Sequence, residues 1–206
     1  KIKRLTIKNF RGYRGETSIE FENLTAFVGK NDIGKSSIME ALDVFFNDGK
    51  GVIKLDKDDV NVDAREVEDR EISIAICFCN LPERIIIDAT NETVLAEEYL
   101  LNPEGQLEVI KKYPNAGSAK VFIRALHPTN PYCADLLQKK DSELRRIIES
   151  NQITCEDRTR NAVMRSSVWQ HFGGNLQLDT VEIDVTKGDT KSIWDKLQKY
   201  LPLYSL

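Results

Sequence analysis

One segment near the amino terminus constrains this chain more than any other feature. The sequence GKNDIGKSS at 29–37 fits the pattern G-x-x-x-x-G-K-[ST], with Gly29, Gly34, Lys35 and Ser36 at its fixed positions. A short apolar run at 24–28, LTAFV, precedes it and is predicted to be a strand. Apolar residues at helical spacing follow it, namely Ile38, Ala41, Leu42 and Phe45. A strand, a glycine loop and a helix in direct succession predict a site for the phosphates of a nucleotide.

Each fixed position of the segment has a role in binding phosphate. Backbone N–H groups from about Asp32 to Ser37 can point at an anion at the positive end of the helix dipole. The two glycines let the backbone bend sharply and approach the phosphates closely. Lys35 is expected to reach the β- and γ-phosphate oxygens, and Ser36 to offer its hydroxyl oxygen to Mg²⁺. The alternative, a turn that binds nothing, leaves the flanking strand and helix unexplained.

Hydrolysis would need a carboxylate on a second strand to hold Mg²⁺. Two segments have the pattern of such a strand: 85–87, followed by Asp88, and 181–183, followed by Asp184. In neither is the aspartate followed by glutamate. Each segment is more simply explained as an ordinary strand that ends in a polar residue, and the Mg²⁺ strand stays open as the alternative.

A guanine-nucleotide site is an alternative to an adenine-nucleotide site. Residues 186–189, TKGD, match the guanine-reading pattern [NT]-K-x-D after a predicted strand, although four loosely specified positions match easily by chance. The accompanying D-x-x-G pattern occurs only at 48–51. It lies directly behind the first helix, where no strand or switch segment separates it from the phosphate loop. The sequence therefore favours ATP over GTP as the bound nucleotide.

Composition narrows the class of protein. The 206 residues carry 29 Lys and Arg against 33 Asp and Glu, a net charge of −4, so no global positive field draws the chain to nucleic acid. No apolar run approaches the roughly 20 residues that span a bilayer. The amino terminus has no apolar leader, and the four cysteines lack zinc-site spacing. We expect a cytoplasmic protein with reduced thiols and no membrane partner.

The remaining periodicity predicts the other elements of an α/β fold. Strands are predicted over 5–7, 19–21, 24–28, 72–76, 84–90, 93–101, 106–113 and 180–185. Further helices are predicted over 134–150, over 156–172, and from an N-cap at Asp189 and Thr190 to a stop at Pro202. The acidic stretch 55–71 has no period and is predicted to be a solvated loop, with a hard-cation site as an alternative.

The first quarter of the chain resembles the amino-terminal lobe of ABC-type ATPases of the SMC, RecF and OLD (overcoming lysogenization defect) group. In that group an opening strand leads into N-F-[RK]-x-[YF], then into a strand ending in Phe, and then into G-x-N-x-[SG]-G-K-[ST]. The matching residues are Asn9, Phe10, Arg11, Tyr13, Phe21, Gly29, Asn31, Gly34, Lys35, Ser36, Ser37 and the helical segment 40–46. The resemblance is looser beyond Gly51.

The resemblance implies a P-loop fold of the ABC-ATPase head type, with a mixed sheet, an antiparallel β extension and a helical arm. It divides residues 1–206 into 1–50 with the P-loop, 51–125 with the acidic loop and strands, and 126–206 with the arm. It implies ATP and Mg²⁺ as cofactors, with Lys35 as the catalytic lysine and Ser36 as the metal ligand. The nucleotide-binding residues it implies are Arg11, Gly12, Gly29, Asn31, Asp32, Ile33, Gly34, Lys35, Ser36 and Ser37.

The same resemblance implies two heads that hold ATP between them and act on DNA, in repair or in anti-phage defence. The chain departs from the family pattern because it has no S-G-G-type signature, no hhhhDE strand and no D-loop. Together with the apolar segment LPLYSL at 201–206, this predicts a piece of a longer protein, in which motifs outside this chain complete hydrolysis. The alternative is a nucleotide-sensing assembly module without productive turnover.

The residues themselves support DNA contact only weakly. Five arginines lie on the two helices predicted over 134–150 and 156–172: Arg145, Arg146, Arg158, Arg160 and Arg165. Acidic residues stand among them, and no aromatic residues interleave with them in a stacking pattern. A solvated, salt-bridged face is the favoured interpretation.

Overall fold

The computed structural model describes residues 1–27, 34–87, 92–186 and 190–201, with only the backbone at 191. These residues form two compact units. The first comprises Lys1–Cys79 and Glu108–Val121, and the second comprises Asn80–Leu107 and Phe122–Leu201. The predictions for Asp88, for 187–189 and for the segment from Pro202 onward fall outside the described residues.

Six strands and five α-helices are found among the described residues, which confirms the predicted α/β class. In chain order they are β1 (Ile2–Lys8), β2 (Thr17–Glu20), α1 (Lys35–Phe46), α2 (Val62–Glu66), β3 (Glu71–Phe78), β4 (Leu107–Pro114), β5 (Lys120–Pro128), α3 (Asp141–Ser150), α4 (Asn161–His171), β6 (Leu178–Asp184) and α5 (Thr190–Leu197). Short 3₁₀ turns occupy Lys57–Asp59, Leu136–Gln138, Gly173–Asn175 and Gln198–Tyr200. No helix among the described residues is both long enough and apolar enough to cross a membrane.

The sheet of the first unit is built around β1. Its apolar residues Leu5 and Ile7 are fully buried and alternate with polar ones. β1 pairs antiparallel with β2 on one side and with β3 on the other, in the strand order β2-β1-β3-β4. β3 is buried over most of its length, as a central strand is when both of its faces are covered.

The apolar stripe of α1 lies in the core of the first unit. Its buried residues include Ile38, Ala41, Leu42 and Phe45, the four residues whose spacing predicted the helix. The rings of Phe45 and Phe78 in β3 lie 6.3 Å apart, centroid to centroid. This packing holds the start of α1 in a defined position beside the sheet.

The second unit contains β6, most of β5, and the helices α3, α4 and α5. β5 and β6 pair antiparallel, from Phe122 opposite Asp184 to Pro128 opposite Leu178. The predicted strand over 180–185 is therefore present, whereas β5 was not predicted. The α3 and α4 helices begin several residues later than predicted, because a 3₁₀ turn and irregular backbone occupy the segments before them.

Three predicted strands are wrong. Residues 24–27 are irregular, and 84–87 form only a single bridge, between Ile85 and Thr93. Residues 95–99 form turns, in which Glu98 N–H donates to the Val94 carbonyl and Leu100 N–H to that of Leu95. Apolar residues at short spacing are compatible with both strand and turn. Here the turns include Glu98, whose carboxylate bonds to Arg165, 67 positions along the chain.

The acidic stretch is more ordered than a solvated loop. Asp56 caps the 3₁₀ turn Lys57–Asp59 through a capping box, and the Asn61 side chain accepts from Ala64 N–H at the start of α2. Asp59, Val60, Asn61 and Ala64 are buried. Aspartate and asparagine side chains stabilise short turns by hydrogen-bonding to nearby backbone. The high charge of the stretch led to the prediction of a loop and gave no sign of these turns.

Candidate nucleotide-binding site

The start of α1 is shaped by a glycine in the left-handed region. Gly34 has φ 77° and ψ 8° and immediately precedes the helix. Glycine adopts this conformation without the cost that a Cβ imposes. A Cβ at this position would also lie 3.2 Å from the Tyr13 hydroxyl. The left-handed backbone and the closeness of the Tyr13 side chain both favour glycine at position 34.

The first turn of α1 has the properties of an anion site. Lys35, Ser36 and Ser37 open the helix, which has no acidic residue in its first turn and no side chain capping it. The first N–H groups of a helix have no partner within the helix, and the helix dipole favours negative charge there. Ser36 is exposed, whereas Lys35 and Ser37 are half-buried. The other predicted phosphate-binding residues, Gly29, Asn31, Asp32 and Ile33, fall outside the described residues.

Arg11 joins three segments of the first unit. Its Nε donates to Asp59 Oδ1 at 2.9 Å, and its Nη1 donates to Glu40 Oε2 on α1. Its backbone N–H donates to the Asp59 carbonyl at 2.7 Å, and its carbonyl accepts from Asn61 Nδ2 at 2.6 Å. Arg11 itself has a positive φ of 49°. These bonds tie the turn after β1 to both α1 and the acidic stretch.

The charges around Arg11 do not balance. One guanidinium faces two carboxylates, and the side chains of Arg11, Glu40 and Asp59 are 31%, 23% and 12% exposed. Partial burial strengthens such pairs relative to a fully solvated pair. The cluster therefore holds Arg11 firmly in place. Gly12, the next residue, has open space beside it, because a Cβ added there would meet no atom within 4 Å.

Tyr13 connects the same turn to the phosphate loop. Its hydroxyl donates to the Gly34 carbonyl at 3.3 Å, and burial raises the pKa of this tyrosine. The turn is closed by two backbone hydrogen bonds of 2.9 Å between Phe10 and Tyr13. The N-F-R-x-Y element is thus brought against the start of α1. Sequence reasoning missed Glu40, Asp59 and Asn61 as its partners, although Glu40 belongs to the helical segment that matched the family.

Two of the carboxylates considered for Mg²⁺ or guanine binding have other partners. Asp184, in the second unit, accepts from the backbone N–H and the hydroxyl of Thr186 at 2.9 and 2.5 Å. Asp48, in the first unit, forms an ion pair with the buried ammonium of Lys111. The first contact stabilises a local turn, and the second links the segment after α1 to β4. Asp88 and Asp189 themselves lie outside the described part of the chain.

Two of the arginines considered for DNA contact form exposed ion pairs. Arg145 lies 3.0 Å from Asp141, and Arg158 lies 3.8 Å from Glu149. For these two, the structure agrees with the predicted salt-bridged face. For Arg165 the prediction of a solvated position is wrong, because its side chain is 2% exposed and bonded to Glu98. Helical spacing alone offers no sign of this partner, 67 residues away.

Comparison with known proteins identifies the family. The family model described as AAA ATPase domain matches residues 1–206, so the chain belongs to that family. The protein is an ATPase of this class, which confirms the enzyme class predicted from the phosphate-binding pattern.

A solved structure from work on the structural biochemistry of ATP-driven dimerization and DNA stimulated activation of SMC ATPases is similar to part of the chain. The two are 19% identical, with a TM-score of 0.42, over 74% of this chain and 80% of the other. No curated protein matches the sequence.

Proposed function

We propose that this ATPase binds ATP with Mg²⁺ at the start of α1 and uses it to engage a second ATPase head in an action on DNA. The observation that carries the proposal is the opening of α1, where left-handed Gly34 leads into Lys35 and Ser36 at a helix end that no acidic residue occupies. A polyphosphate is the ligand that this chemistry suits best.

The proposed roles follow the sequence pattern. Gly29, Asn31, Asp32, Ile33 and Gly34 surround the phosphates with backbone N–H groups. Lys35 neutralises charge on the β- and γ-phosphates during hydrolysis, Ser36 is a Mg²⁺ ligand, and Ser37 adds a donor.

Arg11 and Gly12 complete the nucleotide side of the site. The position of Arg11 supports this role, because its bond to Glu40 keeps it beside α1. The open space at Gly12 leaves room for a ligand atom close to the backbone.

The biological setting is proposed from the resemblance to the SMC, RecF and OLD group. In that setting the partner is a second copy of the chain or a related head, and the action is DNA repair or anti-phage defence. Residues 1–206 contain no Asp-Glu pair after a strand, and the residues that complete hydrolysis are therefore expected from motifs outside this sequence. A nucleotide-sensing assembly module without turnover is the second candidate, and the same absence favours it.

The proposal is tested by titrating ATP and GTP, each with Mg²⁺, into the purified protein and into Lys35→Ala. We expect ATP to bind the parent, with affinity reduced at least tenfold in the variant, because a charge-assisted contact to phosphate is lost. Ser36→Ala should weaken binding in the presence of Mg²⁺ and leave Mg²⁺-free binding unchanged.

The matched control is Lys54→Ala, which removes an exposed lysine of the same unit. It should bind ATP as the parent does. Equal ATP affinity in the parent and in Lys35→Ala would contradict the proposed site, and a preference for GTP would replace ATP with the guanine nucleotide.

A further inference from the structure

The side chain of Glu40 has one polar partner among the described residues, the guanidinium of Arg11. Glu40 lies in α1, four residues after Ser36, so the two side chains share a face of the helix, one turn apart. Helical side chains lean toward the start of their helix. The Glu40 carboxylate therefore lies over the turn that carries Ser36, the proposed Mg²⁺ ligand.

Arg11 still has hydrogen-bond donors to offer. A guanidinium carries five N–H donors, one on Nε and two on each Nη. Nε donates to Asp59 and Nη1 to Glu40, and no other hydrogen bond of this side chain is found among the described residues. The side chain is 31% exposed, and Nη2 is not among the buried side-chain atoms left without a partner in the described part of the chain. A carboxylate or phosphate oxygen is the acceptor that such donors bond most strongly.

The turn that contains Arg11 is itself fixed beside the start of α1. The Arg11 backbone N–H donates to the Asp59 carbonyl at 2.7 Å. Two residues further on, the Tyr13 hydroxyl donates to the Gly34 carbonyl at 3.3 Å. The backbone of the turn is thus anchored independently of the Arg11 side chain. Glu40 is the contact that holds the guanidinium itself against α1.

We propose that Glu40 is a positioning residue for ATP binding, which holds the Arg11 guanidinium beside the first turn of α1 so that Nη2 can donate to a phosphate oxygen. Glu40 acts through Arg11 and does not itself contact the nucleotide. A donor that is already in place loses less conformational entropy on binding than a free arginine side chain. This inference rests on the proposed ATP site, and its test separates the two.

The charge of Glu40 makes its effect on ATP depend on Arg11. While the carboxylate is paired with the guanidinium, its repulsion of a phosphate is largely offset. Without Arg11, the same carboxylate is an uncompensated negative charge beside the proposed phosphate site and opposes ATP. Loss of Glu40 should therefore weaken ATP binding only while Arg11 is present.

The test is a double-mutant cycle on ATP affinity, measured by calorimetry with Mg²⁺ on the purified protein. We expect Glu40→Ala to weaken ATP binding about threefold to tenfold, and Arg11→Ala to weaken it at least as much. Adding Glu40→Ala to Arg11→Ala should weaken binding no further. Glu40→Gln keeps an oxygen acceptor for Arg11, so it should bind ATP within about twofold of the parent.

The matched control is Glu66→Ala, which removes an exposed glutamate from α2 in the same unit. It should bind ATP as the parent does. Thermal unfolding verifies that each variant is folded, and Arg11→Gln replaces Arg11→Ala if the alanine variant does not fold. A role of Glu40 in helix stability alone would weaken ATP binding to the same degree with and without Arg11.

Lys35→Ala separates failure of this inference from failure of the ATP site. If Lys35→Ala loses ATP binding while Glu40→Ala binds as the parent does, the site stands and the positioning role of Glu40 is refuted. Equal weakening by Glu40→Ala with and without Arg11 refutes that role as well. If Lys35→Ala binds ATP as tightly as the parent, the proposed site fails and the role of Glu40 fails with it.

Discussion

At the scale of single residues, Arg165 forms a buried ion pair in which each partner neutralises the charge of the other. It donates two hydrogen bonds to Glu98 inside the second unit, and both side chains are almost completely buried. The desolvation of such a pair offsets much of its attraction, so the pair adds little net stability. Removing only one partner is different, because the other charge then stays buried without compensation.

Arg165→Met tests this point. We expect it to lower the free energy of unfolding by about 3–5 kcal/mol, because the Glu98 carboxylate loses its counter-charge. Denaturation in urea measures the change.

Arg145→Met is the matched control, since it breaks the exposed pair with Asp141 on α3. It should cost less than about 1 kcal/mol. Equal losses in the two variants would mean that the buried pair is no more important to stability than a surface pair.

At the scale of secondary structure, α1 is held at both ends by contacts from other elements. At its start, Gly34 and Tyr13 are in contact. At its end, Lys111 Nζ donates to the Phe45 carbonyl at 2.7 Å, and the Tyr113 hydroxyl donates to the Val44 carbonyl at 2.9 Å. The last carbonyls of a helix lack partners within it, so these two side chains of β4 satisfy groups that burial would otherwise leave unpaired.

Tyr113→Phe is expected to destabilise the protein by about 1–2 kcal/mol. The change removes only the hydroxyl and leaves the Val44 carbonyl without its partner in a fully buried environment. Burial raises the pKa of Tyr113, so the hydroxyl stays protonated and donates throughout the ordinary pH range.

The control for this prediction is Tyr132→Phe, at a tyrosine that is 68% exposed. Its effect should stay within about 0.5 kcal/mol. If both changes have the same small effect on urea denaturation, the hydrogen bond to α1 contributes nothing measurable.

At the scale of the whole molecule, each of the two compact units has its own buried residues. The phosphate motif and the Arg11 cluster belong to the first, and the buried pair of Arg165 with Glu98 belongs to the second. The proposed engagement of a second head is an association between whole chains.

ATP is expected to shift the protein from single chains toward pairs, because a ligand that bridges two chains stabilises the pair by mass action. Light scattering coupled to size exclusion, with and without ATP and Mg²⁺, measures the mass. Lys35→Ala should stay unpaired under both conditions, and Lys54→Ala should behave as the parent does. A mass that does not respond to ATP in the parent would remove pairing from the proposed function.

Local pattern was sufficient to predict much of the first unit. The alternation in β1 and β3 and the apolar spacing of α1 are strong periodic signals, and the structure follows them. The site was predicted as a linear motif. The bonds of Arg11 to Glu40 and Asp59 were not, because these residues lie 29 and 48 positions away and nothing local marks them as partners.

The sequence alone determined the class of chemistry, since a glycine that bends the backbone, a lysine and a hydroxyl must stand at set spacing for phosphate to be bound. It also determined α1 and the central strands, whose periodicity is a property of neighbouring residues. Only the tertiary structure decided the turns over 95–99 and the burial of Arg165 against Glu98. Those features depend on groups that are distant in the chain, and their energies exist only once the chain has folded.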